Sequence, residues 1–159
     1  MKQLWAPWRL AYVQEAGAAE ECVFCLEAAG ELGSSSLVVH RGERTIVLLN
    51  KFPYSSGHLM VAPVRHAPAL GDLDAEEARE LHELTVKAIE TLGAAYGPEG
   101  FNVGLNLGAV AGGSIAAHLH QHVVPRWAGD TNFMPVLADV KVLPEHLEAT
   151  RARLAEAWS

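Results

Sequence analysis

Three of the chain's eight histidines fall at every second position in the stretch His118-Leu119-His120-Gln121-His122-Val123-Val124-Pro125. Alternate side chains of a β-strand point to the same face, so His118, His120 and His122 are expected to share one face of a sheet. Each imidazole needs a polar partner when it is buried, which makes such a face a poor core surface. The spacing therefore predicts a functional site formed by the three histidines. The alternative is a histidine-rich edge strand or part of a simple metal-binding tag.

The composition is that of a globular protein. The chain has 159 residues, of which 50% are hydrophobic and 19% are charged, and this length corresponds to one domain with a core of its own. The formal net charge of −7 argues against nucleic acid or an anionic membrane as the main partner. A small anionic ligand in a local pocket remains compatible with this charge.

Neither a membrane span nor a secretory signal is predicted. No apolar run is long enough to cross a bilayer, and residues 1–13 are interrupted by Pro7 and Arg9. We therefore expect the protein in the cytoplasm. The two cysteines are close together, which favours a metal pair or a redox pair over a secretory disulfide framework.

Local patterns predict an α+β domain that spans residues 1–159, with helices packed on one face of a mainly antiparallel sheet. An aromatic arm (1–21) precedes a core (22–133) and a C-terminal extension with a helix (134–159). The long central helix begins at a capping-box pattern formed by Asp74 and Glu77. The predicted strands are 37–40, 45–49, 58–63, 101–106 and the histidine stretch, and the predicted helices are 74–96 and 144–158.

The segment Cys22-Val23-Phe24-Cys25 has the spacing of a C-x-x-C motif. It could be half of a zinc site, a redox pair or two unrelated thiols. A thioredoxin-like redox motif should follow a strand, and no strand is predicted before Cys22. Zinc is therefore favoured over redox chemistry, and an unoccupied pair remains open.

These motifs together resemble the histidine triad (HIT) family, in which histidines alternate with apolar residues and Pro125-Arg126 continues the pattern. Matching features run from about Cys22 to Phe133. They include Asn50 with Gly57-His58-x-Met60-Val61-x-Pro63, which is similar to a strand–loop–strand signature, and Asn106 with Gly113-Ser114, which is similar to a phosphate loop. Within the family, Ala111-Gly112-Gly113-Ser114 and Trp127-x-Gly129-Asp130-x-Asn132-Phe133 are most similar to bacterial diadenosine tetraphosphate phosphorylases.

The resemblance implies a HIT-like fold, with a C-terminal helix packed beside one long helix, that works as a homodimer. It also implies an enzyme that acts on nucleotides. A neutral imidazole is a competent nucleophile near pH 7, because its unperturbed pKa is about 6.5. Attack on the α-phosphorus would give a covalent nucleotidyl-histidine and divide one displacement into two. The catalytic residues implied are His120 as nucleophile, His122 on the phosphate oxygens and the Ser114 hydroxyl.

Substrate-binding positions are implied as well, with apolar side chains near Ile46–Leu48 flanking the base and Asn50 holding ribose hydroxyls. From the residues alone, Asn50 also suits a turn cap and Trp127 suits a core aromatic. The full set of implied substrate-binding residues is Asn50, His58, Asn106, Gly113, Ser114 and Trp127.

The resemblance extends to a structural metal. Several bacterial HIT proteins carry zinc on a C-x-x-C pair, a histidine after a Pro-x-x-His strand end and the first triad histidine. Those positions here are Cys22, Cys25, His66 and His118, a closed tetrahedral set of the structural kind. No organic cofactor is implied, although substrate phosphates commonly travel with Mg²⁺.

Two positions depart from the family pattern. Gln121 stands where the triad normally has an apolar residue, which puts packing in doubt more than chemistry. Gly113 stands where many HIT hydrolases have glutamine, and the missing side chain favours inorganic phosphate as acceptor. The expected function is phosphorolysis of dinucleoside polyphosphates such as diadenosine tetraphosphate to ADP and ATP. The alternatives are hydrolysis of dinucleoside polyphosphates or adenosine phosphoramidates, a nucleotide-binding regulatory module and a zinc-dependent hydrolase.

Overall fold

The computed structural model describes residues 21–108, 111, 118–130 and 144–159. The predicted N-terminal arm, except for Glu21, lies outside these ranges, as do residues 112–117. Within the described ranges, five strands and three α-helices follow the order α1 (Val23–Ala29), β1 (Val38–Arg41), β2 (Thr45–Leu49), β3 (Leu59–Pro63), α2 (Ala75–Tyr96), β4 (Gly100–Leu105), β5 (Gln121–Arg126) and α3 (Leu147–Ala157).

The strands form one sheet in the order β1-β2-β3-β5-β4. Every pairing between neighbouring strands is antiparallel. The register places His122 opposite Met60 of β3 on one side and opposite Gly104 of β4 on the other. His122 therefore lies inside the sheet, one strand away from the β4 edge.

The long helix α2 begins where the sequence predicts. Asp74 accepts a hydrogen bond from the Glu77 N–H, and Glu77 accepts one from the Asp74 N–H, so the capping box is formed. The helix ends at Gly97, whose φ of 55° lies in the left-handed region. The buried side of α2 packs against one face of the sheet through Leu81, Ala88 and Leu92.

Helix α3 lies beside α2 and closes the same core. Leu154 and Trp158 join the cluster that contains Leu92. Outside this apolar contact, the Tyr96 hydroxyl donates a hydrogen bond of 2.6 Å to Glu145, just before α3. The predicted α+β fold, with the two longer helices on one face of an antiparallel sheet, is confirmed.

The opposite face of the sheet is covered by α1, a helix that the sequence analysis does not predict. Phe24 is fully buried there, against a second apolar cluster from β2 and β3 that consists of Ile46, Leu48, Met60 and Ala62. Alternate residues of β2, such as Val47 and Leu49, face α2 instead. All residues of β2 and β3 are consequently buried.

The predicted triple-histidine strand is wrong in its extent. β5 begins at Gln121, so His118 and His120 precede the strand and only His122 belongs to it. The backbone N–H of Leu119 donates to Ala67, in the segment after β3, at 2.7 Å. This bond takes residues 118–120 out of the β3–β5 ladder. Among the described helices, none combines the length and apolar character that a membrane crossing needs.

Candidate active site and metal centre

A hydrogen bond joins His58, immediately before β3, to His122 of β5. His58 Nε2 lies 2.9 Å from His122 Nδ1, and His58 is fully buried. The Tyr54 backbone N–H donates to His58 Nδ1 at 3.1 Å, so Nδ1 is unprotonated and Nε2–H donates to His122. The proton of His122 is then on Nε2, which lies 3.3 Å from Asn106 Nδ2. The Nε2–H is satisfied when the Asn106 carboxamide turns its Oδ1 toward it.

His122 is held in its neutral form. Burial lowers its pKa to about 4, with the charge of His120 as the second cause. At pH 7 this imidazole therefore offers a fixed Nε2–H as a hydrogen-bond donor, which suits an oxygen atom of a phosphate group.

His120 presents an unprotonated ring nitrogen. Its Nδ1–H donates to the carbonyl oxygen of His118 at 2.8 Å, so the lone pair of the neutral ring is on Nε2. Burial lowers the pKa of His120 below its ordinary value. The Phe24 ring stacks on this imidazole with the two centroids 4.8 Å apart, and the His122 ring meets it edge-on at 4.9 Å.

The predicted metal ligands come together in one cluster. One ligand atom from each of Cys22, Cys25, His66 and His118 lies within 4.8 Å of the others. Sulfur–nitrogen separations are 3.3 Å from Cys22 Sγ to His118 Nδ1 and 3.4 Å from Cys25 Sγ to His66 Nδ1. Tetrahedral zinc with ordinary Zn–S and Zn–N bond lengths separates these atoms by about 3.6 Å. The donor set therefore fits a four-coordinate metal.

The surroundings of the cluster orient its ligands. His118 Nε2–H donates to the Pro63 carbonyl at 2.9 Å, which leaves the Nδ1 lone pair directed at the cysteines. Burial, with a hydrogen bond to Cys22 as the second cause, raises the pKa of the Cys25 thiol to about 11. A bound cation would reverse this preference for the protonated thiol, because a coordinating thiol is deprotonated.

The other end of α1 is attached to the region around β1. The Leu37 N–H donates to the Glu27 carboxylate at 2.9 Å. The Arg41 guanidinium donates to the Ala28 carbonyl at 2.9 Å, near the helix C-terminus. Positive charge at this end also complements the helix dipole. These contacts hold the short helix at the end away from the cysteines.

Asn50 lies in the turn between β2 and β3. Its Oδ1 accepts a hydrogen bond from the Phe52 N–H at 2.9 Å, and its Nδ2 lies 3.4 Å from His58 Nδ1. The side chain thus closes the turn and contacts His58, and its ribose contact stays a prediction. The expectation that residues 46–48 flank a base is wrong, because Ile46 is fully buried and Leu48 is 2% exposed beneath α1.

A concavity of about 540 Å³ lies over β4 and β5 beside His122. This volume is in the range of small-molecule sites. Its described polar and aromatic lining consists of Tyr54, Asn102, Asn106, His122, Arg126 and Asp130. The Arg126 guanidinium donates to Asn102 at 2.7 Å and pairs with Asp130. The concavity therefore contains both hydrogen-bond donors and an aromatic ring.

One predicted site residue lies elsewhere. Trp127 follows β5 and is not part of the lining of that concavity. Ser114 and Gly113 fall outside the described residues, so the predicted phosphate loop stays a prediction at those positions.

The contacts of Gln121 explain why a polar residue stands at a position that is normally apolar in the triad pattern. Its Nε2 donates to the Thr85 hydroxyl at 2.8 Å, and Thr85 donates in turn to the Leu81 carbonyl at 2.7 Å. The polar residue therefore links the first position of β5 to the middle of α2. Sequence reasoning missed Thr85, as well as the contacts of Phe24 and Tyr54 with the histidines, and the only available signal was the place of Phe24 inside the C-x-x-C motif.

Comparison with known proteins adds independent support. The HIT domain family model matches residues 32–129, more than half of the chain. AP-4-A phosphorylase of Mycobacterium tuberculosis is 43% identical over 166 aligned positions, which cover 100% of this chain and 85% of that protein. The Protein hit of Bacillus subtilis is 29% identical over 115 positions, which cover 72% of this chain and 77% of that protein.

Solved structures show the same fold. A hypothetical histidine triad nucleotide-binding protein from Sulfolobus tokodaii superposes with a TM-score of 0.70 at 26% identity, covering 86% of this chain and 91% of that one. A Zn-bound histidine triad family protein from Mycobacterium smegmatis gives a TM-score of 0.69 at 24% identity, covering 87% and 93%. The sequence motifs, the sheet and these matches agree, and the chain belongs to the HIT family.

Proposed function

We propose that this HIT-family enzyme transfers a nucleotidyl group through a covalent intermediate on His120. The observation that carries the proposal is the Nδ1–H bond from His120 to the His118 carbonyl, which leaves a lone pair on Nε2 of a neutral ring. A nucleophile of this kind needs no separate base to remove a proton before it attacks phosphorus.

In the first step, His120 Nε2 forms a bond to the α-phosphorus of the substrate. The bond from that phosphorus to the bridging oxygen breaks, and its electron pair leaves with the departing polyphosphate. The His122 Nε2–H, directed by the bond from His58, donates to a phosphate oxygen while negative charge develops. The predicted Ser114 hydroxyl would add a second donor.

In the second step, an oxygen of inorganic phosphate attacks the nucleotidyl group and releases His120. With diadenosine tetraphosphate, the first step liberates ATP and the second yields ADP. The 43% identity to AP-4-A phosphorylase supports phosphate as the acceptor, in agreement with the prediction from Gly113. Water as the acceptor is the second candidate, and it would give AMP in place of ADP.

We propose zinc as the metal of the Cys–His cluster. Two sulfur and two nitrogen donors complete a tetrahedral shell and leave no open position, which is typical of a structural site. The metal's contribution would be to join α1 to the segment before β5. Any Mg²⁺ would arrive with the substrate phosphates.

We also propose that the protein forms a homodimer. β4 lies at an edge of the sheet, and Val103 on this strand and Leu107 just after it are 45% and 51% exposed. An exposed apolar edge strand is a surface that proteins usually cover. Light scattering coupled to size-exclusion chromatography would detect the dimer.

Product analysis with diadenosine tetraphosphate tests the proposed reaction. The purified protein is incubated with and without inorganic phosphate, alongside His120→Ala and the exposed-histidine control His82→Ala. We expect ADP and ATP only with phosphate, unchanged turnover in His82→Ala and none in His120→Ala. AMP and ATP in both conditions would identify a hydrolase. Retained turnover in His120→Ala would refute the covalent mechanism, and binding without turnover in the wild type would identify a nucleotide-binding module.

A further inference from the structure

Phe24 lies between the two cysteine ligands in sequence and in the first turn of α1. Its side chain is fully buried and belongs to the cluster that α1 forms with β2 and β3. Side chains in close-packed clusters keep a fixed rotamer. The position of the Phe24 ring is therefore set jointly by the sheet and by the helix that carries the cysteines.

The Phe24 ring touches two histidines that have different roles. Its centroid is 5.1 Å from that of the metal ligand His118, at an interplanar angle of 42°, and 4.8 Å from that of the nucleophile His120, at 30°. Both distances are within the range of favourable ring contacts. One aromatic side chain thus joins the metal centre to the nucleophile.

The remaining described contacts of the His120 ring do not fix its plane alone. The bond from Nδ1–H to the His118 carbonyl defines the tautomer and restrains the ring, but a single hydrogen bond leaves some rotation about the Cα–Cβ and Cβ–Cγ bonds. The edge of the His122 ring limits this rotation on one side. Contact with Phe24 limits the rotation as well, so Phe24 helps to set the direction of the Nε2 lone pair.

The helix that carries Phe24 depends on tertiary contacts. α1 has seven residues, whereas isolated helices shorter than about 12 residues are marginal in water. Glu27 and Arg41 hold its C-terminal half. At the other end, Cys22 and Cys25 connect it to the histidines of the metal cluster. Loss of the metal would remove the link between those histidines and the first turn of α1, which contains Phe24.

We propose that Phe24 is a positioning residue that couples occupancy of the metal centre to the orientation of His120. The inference rests on the proposed function, in which His120 is the nucleophile. It goes further, because a metal that makes no contact with substrate would control the rate of the first chemical step through one aromatic ring.

The first test compares zinc-loaded Phe24→Leu with Ile46→Val, a control that trims the same apolar cluster and keeps the Phe24 ring. We expect Phe24→Leu to retain its zinc and to lower kcat about tenfold, with KM within about twofold of wild type, because the orientation of the nucleophile acts on the chemical step. Ile46→Val should keep wild-type kcat. A normal kcat in Phe24→Leu, or a fall confined to KM, would overturn the proposal.

The second test measures coupling. Removing zinc with a chelator should lower kcat in the wild type about as much as Phe24→Leu does, and removal from Phe24→Leu should add little, because both changes disrupt the same contact. Independent effects that multiply would overturn the proposal. Restoring zinc should restore wild-type activity and leave Phe24→Leu unchanged.

A spectroscopic measurement covers the case in which the variant does not fold. The His120 ring protons of the wild-type protein should show the shift caused by the overlying Phe24 ring in zinc-loaded protein and lose it after chelation. An unchanged His120 signal would refute the coupling even if dinucleotides prove to be substrates. Conversely, absence of an adenylylated protein would refute the proposed function while this spectral coupling could still be present.

Discussion

Replacing Glu77 tests how the start of α2 is attached to the segment that follows β3. Glu77 is 4% exposed. Its carboxylate accepts hydrogen bonds from Arg65 Nε at 2.9 Å and Arg65 Nη2 at 2.7 Å, and from the Asp74 N–H at 3.0 Å. One side chain therefore completes the capping box and binds the guanidinium next to His66.

The expected magnitude follows from these contacts. Loss of the reciprocal cap costs about 1 kcal/mol. The Arg65 side chain is 53% exposed and regains water when unpaired, so the paired hydrogen bonds contribute about 1–2 kcal/mol. Glu77→Ala should therefore lower the free energy of unfolding by about 2–3 kcal/mol. Glu77→Gln keeps an oxygen for the Asp74 N–H and should lose only about 1–2 kcal/mol.

The effect should depend on pH. The Arg65 guanidinium, followed by the Asp74 N–H, holds the pKa of Glu77 below its ordinary value of 4.5. The unfolded chain then binds the proton first as pH falls, so the stabilisation is complete above the unfolded pKa and is lost through the folded pKa. The difference between wild type and Glu77→Gln should shrink as pH falls below 4.5.

Urea denaturation followed by circular dichroism, near pH 7 and across the acid range, measures these free energies. The matched control is Glu76→Gln on the same turn, where the Glu76–Arg79 pair is exposed on both sides and should contribute less than about 0.5 kcal/mol. Equal losses in the two glutamine variants, or a Glu77→Gln deficit that does not change with pH, would refute this account of the cap.

Three further outcomes are expected. His58→Leu removes the donor that fixes the tautomer of His122, so kcat should fall about tenfold or more with zinc content unchanged. Steady-state kinetics and metal analysis measure both quantities, and a wild-type kcat would contradict the role of His58 in orienting His122. Gly57→Ala should lower the free energy of unfolding in urea by about 2 kcal/mol or more, since φ is 78° and the added Cβ would lie 2.8 Å from Leu92. The control Gly33→Ala, at a positive φ in open space, should lower it by only about 1 kcal/mol. Thr91→Val should raise the thermal midpoint, because the buried Thr91 hydroxyl has no partner among the described residues; a lower midpoint would indicate an unrecognised hydrogen bond.

Local signals are sufficient for most of the fold. The predicted strand Thr45–Leu49 has the bounds that the structure gives, because a β-branched and apolar run between polar residues has few alternatives. The start of α2 follows from the chemistry of Asp74 and Glu77, which satisfy each other's N–H groups at short range. Such features depend on neighbours a few residues away, and the sequence contains them explicitly.

The remaining features depend on contacts between distant segments. α1 has too few residues for a periodic signal, and it is held by contacts with residues far along the chain. The sequence pattern places the beginning of β5 too early, because the Leu119 N–H binds Ala67, a partner that no local pattern indicates. Gln121 and Thr85 are similarly 36 positions apart. Among the site residues, the cluster of cysteines and histidines came from the family resemblance rather than from spacing alone.

The cover that α1 provides has a consequence for the life of the newly made chain. Without that helix, the apolar side chains beneath it would face water as a contiguous patch, and surfaces of this kind promote aggregation. These side chains are Ile46, Leu48, Met60 and Ala62. We expect the yield of non-aggregated protein from metal-starved cells to fall while the central strands β2 and β3 still resist hydrogen exchange, so that metal supply limits the abundance of the protein as well as its kcat.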